Sequence, residues 1–308
     1  AIYLLNHLKE SRSPIDLIWR GDRHIRTLQF TSHVLEALHH LNLKGVTDSL
    51  LEPAITWLID LPFGRDTSSD ELRALRLYPS RFKTLALVNM FDPDRLMADF
   101  TELSNLFDPT SGWIVNAPFA ELSPTLLTMI WLDVLLLIEP HGYVSSDLKI
   151  KQKRASQMLL LAFERWEEKA RTAMEANKNL PDNLGYQPAY FSEIANSGDA
   201  SYALDILLRL GSVAPDSHLV EEARRILTFV VRNRRLGDLR RSDFVYANLH
   251  LAMYFPRQPE THEVVERFIA SSRGRYETLD CQREPISFHA LILRLLAAHH
   301  KQQLPESI

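Results

Sequence analysis

The stretch "SPTLLTMIWLDVLLLI", Ser123 to Ile138, decides the fold class. Serine followed by proline marks a helix start. The serine oxygen can accept from the first free amides, and proline at the first helical position gives up no hydrogen bond. Beyond these two residues the run is apolar on every side of a helical wheel, which means burial on all sides. One ionisable residue, Asp133, interrupts it. The apolar run from Leu126 to Ile138 is shorter than the roughly 20 residues a membrane span needs. It therefore predicts the core helix of a soluble protein.

The same reading extends along the chain. Apolar residues recur at three- and four-residue spacing, no segment sustains period-two alternation, and glycine is scarce at 10 in 308 residues. Together these predict an all-α fold. Helix starts are marked by Asp92-Pro93, by Ser68 with Glu71 as a capping box, and by Asp216-Ser217 ahead of Glu221 and Glu222.

The predicted helices alternate in character. One set is short and apolar: 30–41, 81–91, 124–138, 199–210, 242–255 and 285–299. The other is amphipathic with charged faces: 49–61, 93–107, 146–176, 217–233 and 260–271. An inner helix followed by an outer helix, with a period of about 40 to 60 residues, is the rhythm of a helical-repeat array. The contrast between the sets predicts a closed (α/α) toroid of alternating inner and outer helices, one domain over residues 1–308, as a fragment or one domain of a longer chain. An open solenoid of the HEAT type is the alternative, with helix pairs more alike in polarity. The segment from Asn177 to Gly198 reads as a long loop, a length that is often functional or mobile.

Composition excludes some classes. The formal net charge is −4, whereas a general nucleic-acid binder is normally basic. The single cysteine, Cys281, excludes an internal disulfide framework and fits a reducing compartment, so a cytoplasmic location is expected. No signal-peptide pattern opens the chain, and no transmembrane span is expected.

Several stretches carry a family resemblance. "FTSHVLEAL" (30–38), "WLIDLP" (57–62), "SGWI" (111–114) before "SPTLLTMIWLDVLL", and "GDASYALDILLRLG" (198–211) resemble the squalene cyclase and prenyltransferase repeat. "SGWI" looks like that family's Gly-x-Trp turn, and the last stretch looks like the inner helix that follows the catalytic acid of class II terpene cyclases. The resemblance covers most of the chain as degenerate repeats and implies the toroid architecture.

The resemblance also bears on chemistry. Class II cyclases open that helix with Asp-x-Asp-Asp, whose central acid protonates a double bond or epoxide. Here Asn196-Ser197-Gly198-Asp199 falls over the motif, so only Asp199 remains and Gly198 replaces the proton donor. Protonating an alkene requires an acid strengthened by neighbouring carboxyls, and no register recovers two adjacent acids. The resemblance to protein prenyltransferase β-subunits implies a zinc site of Asp, Cys and His. Asp280, Cys281 and His289 are available, but Asp280 and Cys281 are adjacent where that family spaces them two apart. No metal and no cofactor are expected.

The remaining candidates are single features. Asp133, Asp199 and Asp205 are the candidate catalytic acids, because a carboxylate in an apolar helix is costly unless paired. The plainer reading pairs Asp133 and Asp205 with a neighbouring arginine or faces them to an axial cavity. Trp131, Tyr202, Tyr246, His250 and His289 are the candidate cavity-lining residues, although core packing explains most aromatic residues and histidines at such positions. Lys149, Lys151, Lys153 and Arg154 form one basic patch, and Arg232, Arg234, Arg235, Arg240 and Arg241 a second; each reads as a solvated face or as a docking site for an acidic partner. Phosphate-loop, dinucleotide, zincin and nucleophile-elbow motifs are missing.

Two function classes follow. In the first, the chain is a non-catalytic binding or scaffolding module for a protein partner or for other domains of its parent chain. In the second, it is a terpene cyclase-like or prenyl-handling enzyme with an isoprenoid-binding cavity and a non-standard acid. A glycan-active (α/α) barrel would need two carboxyls flanking a cleft. The missing central acid favours the first class.

Overall fold

The computed structural model describes residues 48–61, 68–115, 117–118, 123–176, 194 and 197–233, with single helical positions between 28 and 39 and between 259 and 296. Among the described residues the chain is mostly helical, as its periodicity predicts. It divides into two compact units, Ala1–Ala155 and Ser156–Ile308.

In the first unit the helices are α1 (Asp48–Asp60), α2 (Ser69–Arg76), α3 (Pro79–Leu87), α4 (Pro93–Ser104) and α5 (Pro124–Ile138), followed by a 3₁₀ turn, Glu139–His141, and the start of α6 (Ser146–Glu175). Local chemistry sets where they begin. The Ser68, Asp92 and Ser123 side chains accept from the amides of Glu71, Asp94 and Leu126 at 3.2, 3.0 and 3.2 Å. Left-handed residues end several of them. At the end of α3, Asn89 (φ 58°) lets Asn89 and Met90 donate to Ala86 and Leu85 carbonyls at 3.1 and 2.8 Å. This is the reciprocal pairing of a Schellman cap, with Asn in the place glycine usually takes. Gly142 (φ 78°) does the same after α5, with Gly142 and Tyr143 donating to Glu139 and Ile138.

The periodicity predicts α4 running to Phe107, yet the helix stops at Ser104. A two-stranded hairpin follows, β1 (Phe107–Asp108) antiparallel to β2 (Trp113–Ile114). Asp108 builds its turn by accepting from the amides of Thr110 and Ser111, both at 3.0 Å. Gly112 closes it in the left-handed region at φ 78°. "SGWI" is thus a hairpin turn, and strands of two residues are too short to leave an alternating pattern in the sequence.

α5 is the core of this unit. None of its side chains is exposed, and it packs most extensively on α3 and then on β2. By length and composition alone Pro124–His141 is apolar enough to cross a membrane, but most of it is buried within the protein. Helices α3 and α5 run parallel. Lys83 approaches Asp133 four and five residues before the two helix ends, and Phe91 stacks on Tyr143 at 6.1 Å just beyond them. In contrast, α2 and α4 run antiparallel, since Arg73 meets Glu102 while Arg76 meets Asp99.

The second unit contains the rest of α6, then α7 (Ser197–Arg209) and α8 (His218–Asn233). α7 packs on α8. Ala200, Ala203, Leu204 and Leu207 are buried on α7, and Val220, Ala223, Ile226 and Leu227 on α8, each set at helical spacing. Gly211 (φ 66°) ends α7 with the same Schellman pairing.

Candidate functional site

Among the described residues of the first unit, the buried ionisable ones form two groups. The first joins three helical segments. Glu36 lies on the helical segment that includes residues 35–36, Lys83 and Thr84 on α3, and Asp133 on α5. The Lys83 ammonium lies 3.6 Å from Glu36 Oε2 and 3.4 Å from Asp133 Oδ2. The Thr84 hydroxyl donates to Glu36 Oε1 at 3.1 Å. Glu36 and Asp133 are 2% and 4% exposed. The partners are 47 and 50 residues apart in the chain. Each segment contributes one ionisable residue at one level.

The second group centres on Arg81, a buried guanidinium that uses its fork of donors in four directions. Nε donates to the Leu58 carbonyl at 2.7 Å, and its two terminal nitrogens donate to the Ile59 and Arg76 carbonyls, both at 2.8 Å, and to Asp99 Oδ2 at 3.0 Å. Leu58 and Ile59 belong to the last turn of α1, whose carbonyls have no partner within the helix. Arg81 therefore caps α1 while holding Asp99 of α4. Arg76 shares Asp99 from the solvent side at 2.6 Å. Burial lowers the affinity of the Arg81 guanidinium for its proton, against the pull of Asp99. The hydrogen bond to Asp99 is the leading cause of the opposite shift at Arg76, where burial is slight. Both remain cations at neutral pH.

In both groups buried carboxylates meet cations. Among the described residues no group of three or more histidine, cysteine, aspartate or glutamate side chains could hold a metal ion.

Of the candidate acids, Asp133 belongs to the first unit and Asp199 and Asp205 to the second. Asp133 is paired, but with Lys83 where the plainer reading expected an arginine. Asp205, on α7, pairs with Arg209 one turn on at 2.8 Å. Asp199 is half-buried in the first turn of α7, beside Gly198, whose carbonyl accepts from the Ser201 hydroxyl at 2.8 Å.

Trp131 does not line a cavity. It exposes no surface at all, stacks on Phe107 at 5.7 Å, and donates from Nε1 to the Ser104 hydroxyl at 2.9 Å. The expectation fails because an apolar helix with neighbours on all sides turns its largest side chain into packing. Tyr202 is half-buried on α7. Tyr246, His250, His289, Asp280 and Cys281 lie outside the described residues.

The first basic patch is divided among local partners. Lys149 pairs with Glu139 at 3.1 Å, Lys151 with Asp147 at 2.9 Å, and Arg154 donates to the Thr110 carbonyl at 3.4 Å. Lys153 is exposed on α6. Of the second patch, Arg232 lies within α8, and Arg234, Arg235, Arg240 and Arg241 lie outside the described residues.

Sequence reasoning singled out Asp133 and missed Glu36, Lys83 and Arg81. The signal that marks Asp133, an ionisable residue inside an apolar helical run, also marks Glu36 in "FTSHVLEALHHL" and Lys83 in "RFKTLALVNMF". Comparison with known proteins adds no family: no protein-family model, curated protein or solved structure matches the chain.

Proposed function

We propose that the chain is a non-catalytic helical scaffold that binds a protein partner or other domains of a longer chain, with its inner helices arranged as a degenerate (α/α) toroid. The observation that carries the reading is the position of Lys83 between Glu36 and Asp133. Two carboxylates and one ammonium, from three of the proposed inner segments, meet there as an ion-paired cluster. The parallel α3 and α5, at a spacing of about 50 residues, support the repeat architecture, since successive inner helices of such an array run the same way. Asn196 to Asp199 supplies one carboxylate where cyclase chemistry needs several.

The test is turnover of isoprenoid diphosphates and squalene-like substrates by the purified chain, with native mass spectrometry for a retained lipid. The expected result is neither product nor bound isoprenoid, and Asp133→Asn changes only stability. Turnover that Asp133→Asn or Asp199→Ala abolishes while the fold persists would overturn the reading in favour of a prenyl-handling enzyme.

A further inference from the structure

A helix that is apolar all round is held strongly but not specifically. Rotating α5 about its axis, or sliding it by a turn, exchanges Leu, Ile and Val for one another and leaves the buried area nearly unchanged. Hydrophobic burial is non-directional, so something else must choose one position. Thr128, Trp131 and Asp133 of α5 each make a directional contact, and with different neighbours. The Thr128 hydroxyl accepts from the Ile114 amide of β2 at 2.8 Å. Trp131 donates to Ser104 of α4 at 2.9 Å, and Ser104 in turn donates to the Phe100 carbonyl at 2.7 Å. Asp133 meets Lys83 of α3. At 100° per residue, Asp133 points about 160° away from Trp131. The helix is thus gripped on nearly opposite sides.

We propose that Lys83 is a register lock: its contacts with Glu36 and Asp133 fix the level at which three core helical segments pack, a choice their apolar faces leave open. A buried ion pair is weak evidence for stability, because well-packed apolar residues often replace it without loss. Selection of a single arrangement is its best-attested use. The contacts fit that role, since they link three segments at one level and the Phe91–Tyr143 stack repeats the α3–α5 register beyond the helix ends. The proposal concerns order within the first unit and is independent of whether the chain binds a partner, so its readout is structural.

The experiment compares wild type with Glu36→Leu/Lys83→Met/Asp133→Leu. The expected variant is compact and helical, melting at or above the wild-type temperature. Its amide resonances from α3 and α5 broaden or double, and hydrogen exchange there quickens at least tenfold. A single sharp set of resonances with wild-type exchange would overturn the proposal. If the triple variant fails to fold, the exchanged pair decides. In a Glu36→Gln background, Lys83→Asp should disorder α3 and α5, and adding Asp133→Lys should restore sharp resonances; no restoration also overturns it.

Discussion

Replacing Arg81 with methionine is the sharpest test of how the first unit is held together. Methionine keeps much of the aliphatic volume and removes the whole donor fork. Three carbonyls, the buried one of Leu58 and the half-buried ones of Ile59 and Arg76, then lose a donor, and Asp99 loses one of its two cations. Hydrogen bonds from charged donors are each worth about 1.5–3 kcal/mol, and such losses within one cluster do not add fully. Asp99 keeps Arg76, at 2.6 and 3.0 Å, so the buried charge is not stranded. Breaking a buried pair costs about 3–5 kcal/mol, and about 4 kcal/mol is the expected loss here. That is a large fraction of the roughly 5–15 kcal/mol that a domain possesses. Arg76→Met is the control. It removes a cation from the same carboxylate, but its side chain is 43% exposed, so the expected loss is only about 1 kcal/mol. Arg81→Lys should fall between the two, since an ammonium can reach Asp99 but cannot serve carbonyls in three directions. Urea unfolding followed by circular dichroism and by tryptophan fluorescence measures all three. Equal losses for Arg81→Met and Arg76→Met, or a loss under about 1 kcal/mol for Arg81→Met, would refute the capping role.

Three further outcomes are expected. Asp108 is held below the usual carboxylate range, first by the Ser111 hydroxyl and then by the Thr110 and Ser111 amides. A depressed native value contributes stability above the unfolded carboxylate range, and that contribution disappears as pH falls through the native value. Acid titration followed by circular dichroism should therefore show less pH dependence below about pH 4 in Asp108→Asn than in wild type. Gly211→Ala places a Cβ in open space but at φ 66°, so backbone strain alone should lower stability by about 1 kcal/mol; Asn89→Gly, at φ 58°, should raise it by up to about 1 kcal/mol, both read as shifts in urea midpoint. Trp131→Phe should cost about 1–3 kcal/mol through the lost indole hydrogen bond and a small cavity, whereas a substitution at a true cavity wall would leave the midpoint nearly unchanged.

Local rules made the helices legible. Ser123 with Pro124, Asp92 with Pro93, and Ser68 with Glu71 act over two or three residues, so their signals sit side by side in the chain, and the structure places a helix start at each. The apolar circumference of 124–138 likewise predicted a helix buried on every side. The 107–114 hairpin left too short a trace, because its turn depends on one carboxylate and one left-handed glycine. The site was half legible. Asp133 stands out in its helix by contrast, but nothing near it in the chain names Lys83, and nothing near Arg81 names Leu58 or Asp99. Those partners lie 18 to 50 residues away, beyond the reach of any local pattern. Sequence alone determined that the described residues are mostly helical and that 124–138 is enclosed, because periodicity and capping act within a turn or two. Only tertiary structure decided that the buried charges meet as pairs, since a carboxylate's chemistry is set by whichever group packing brings within a few ångströms of it.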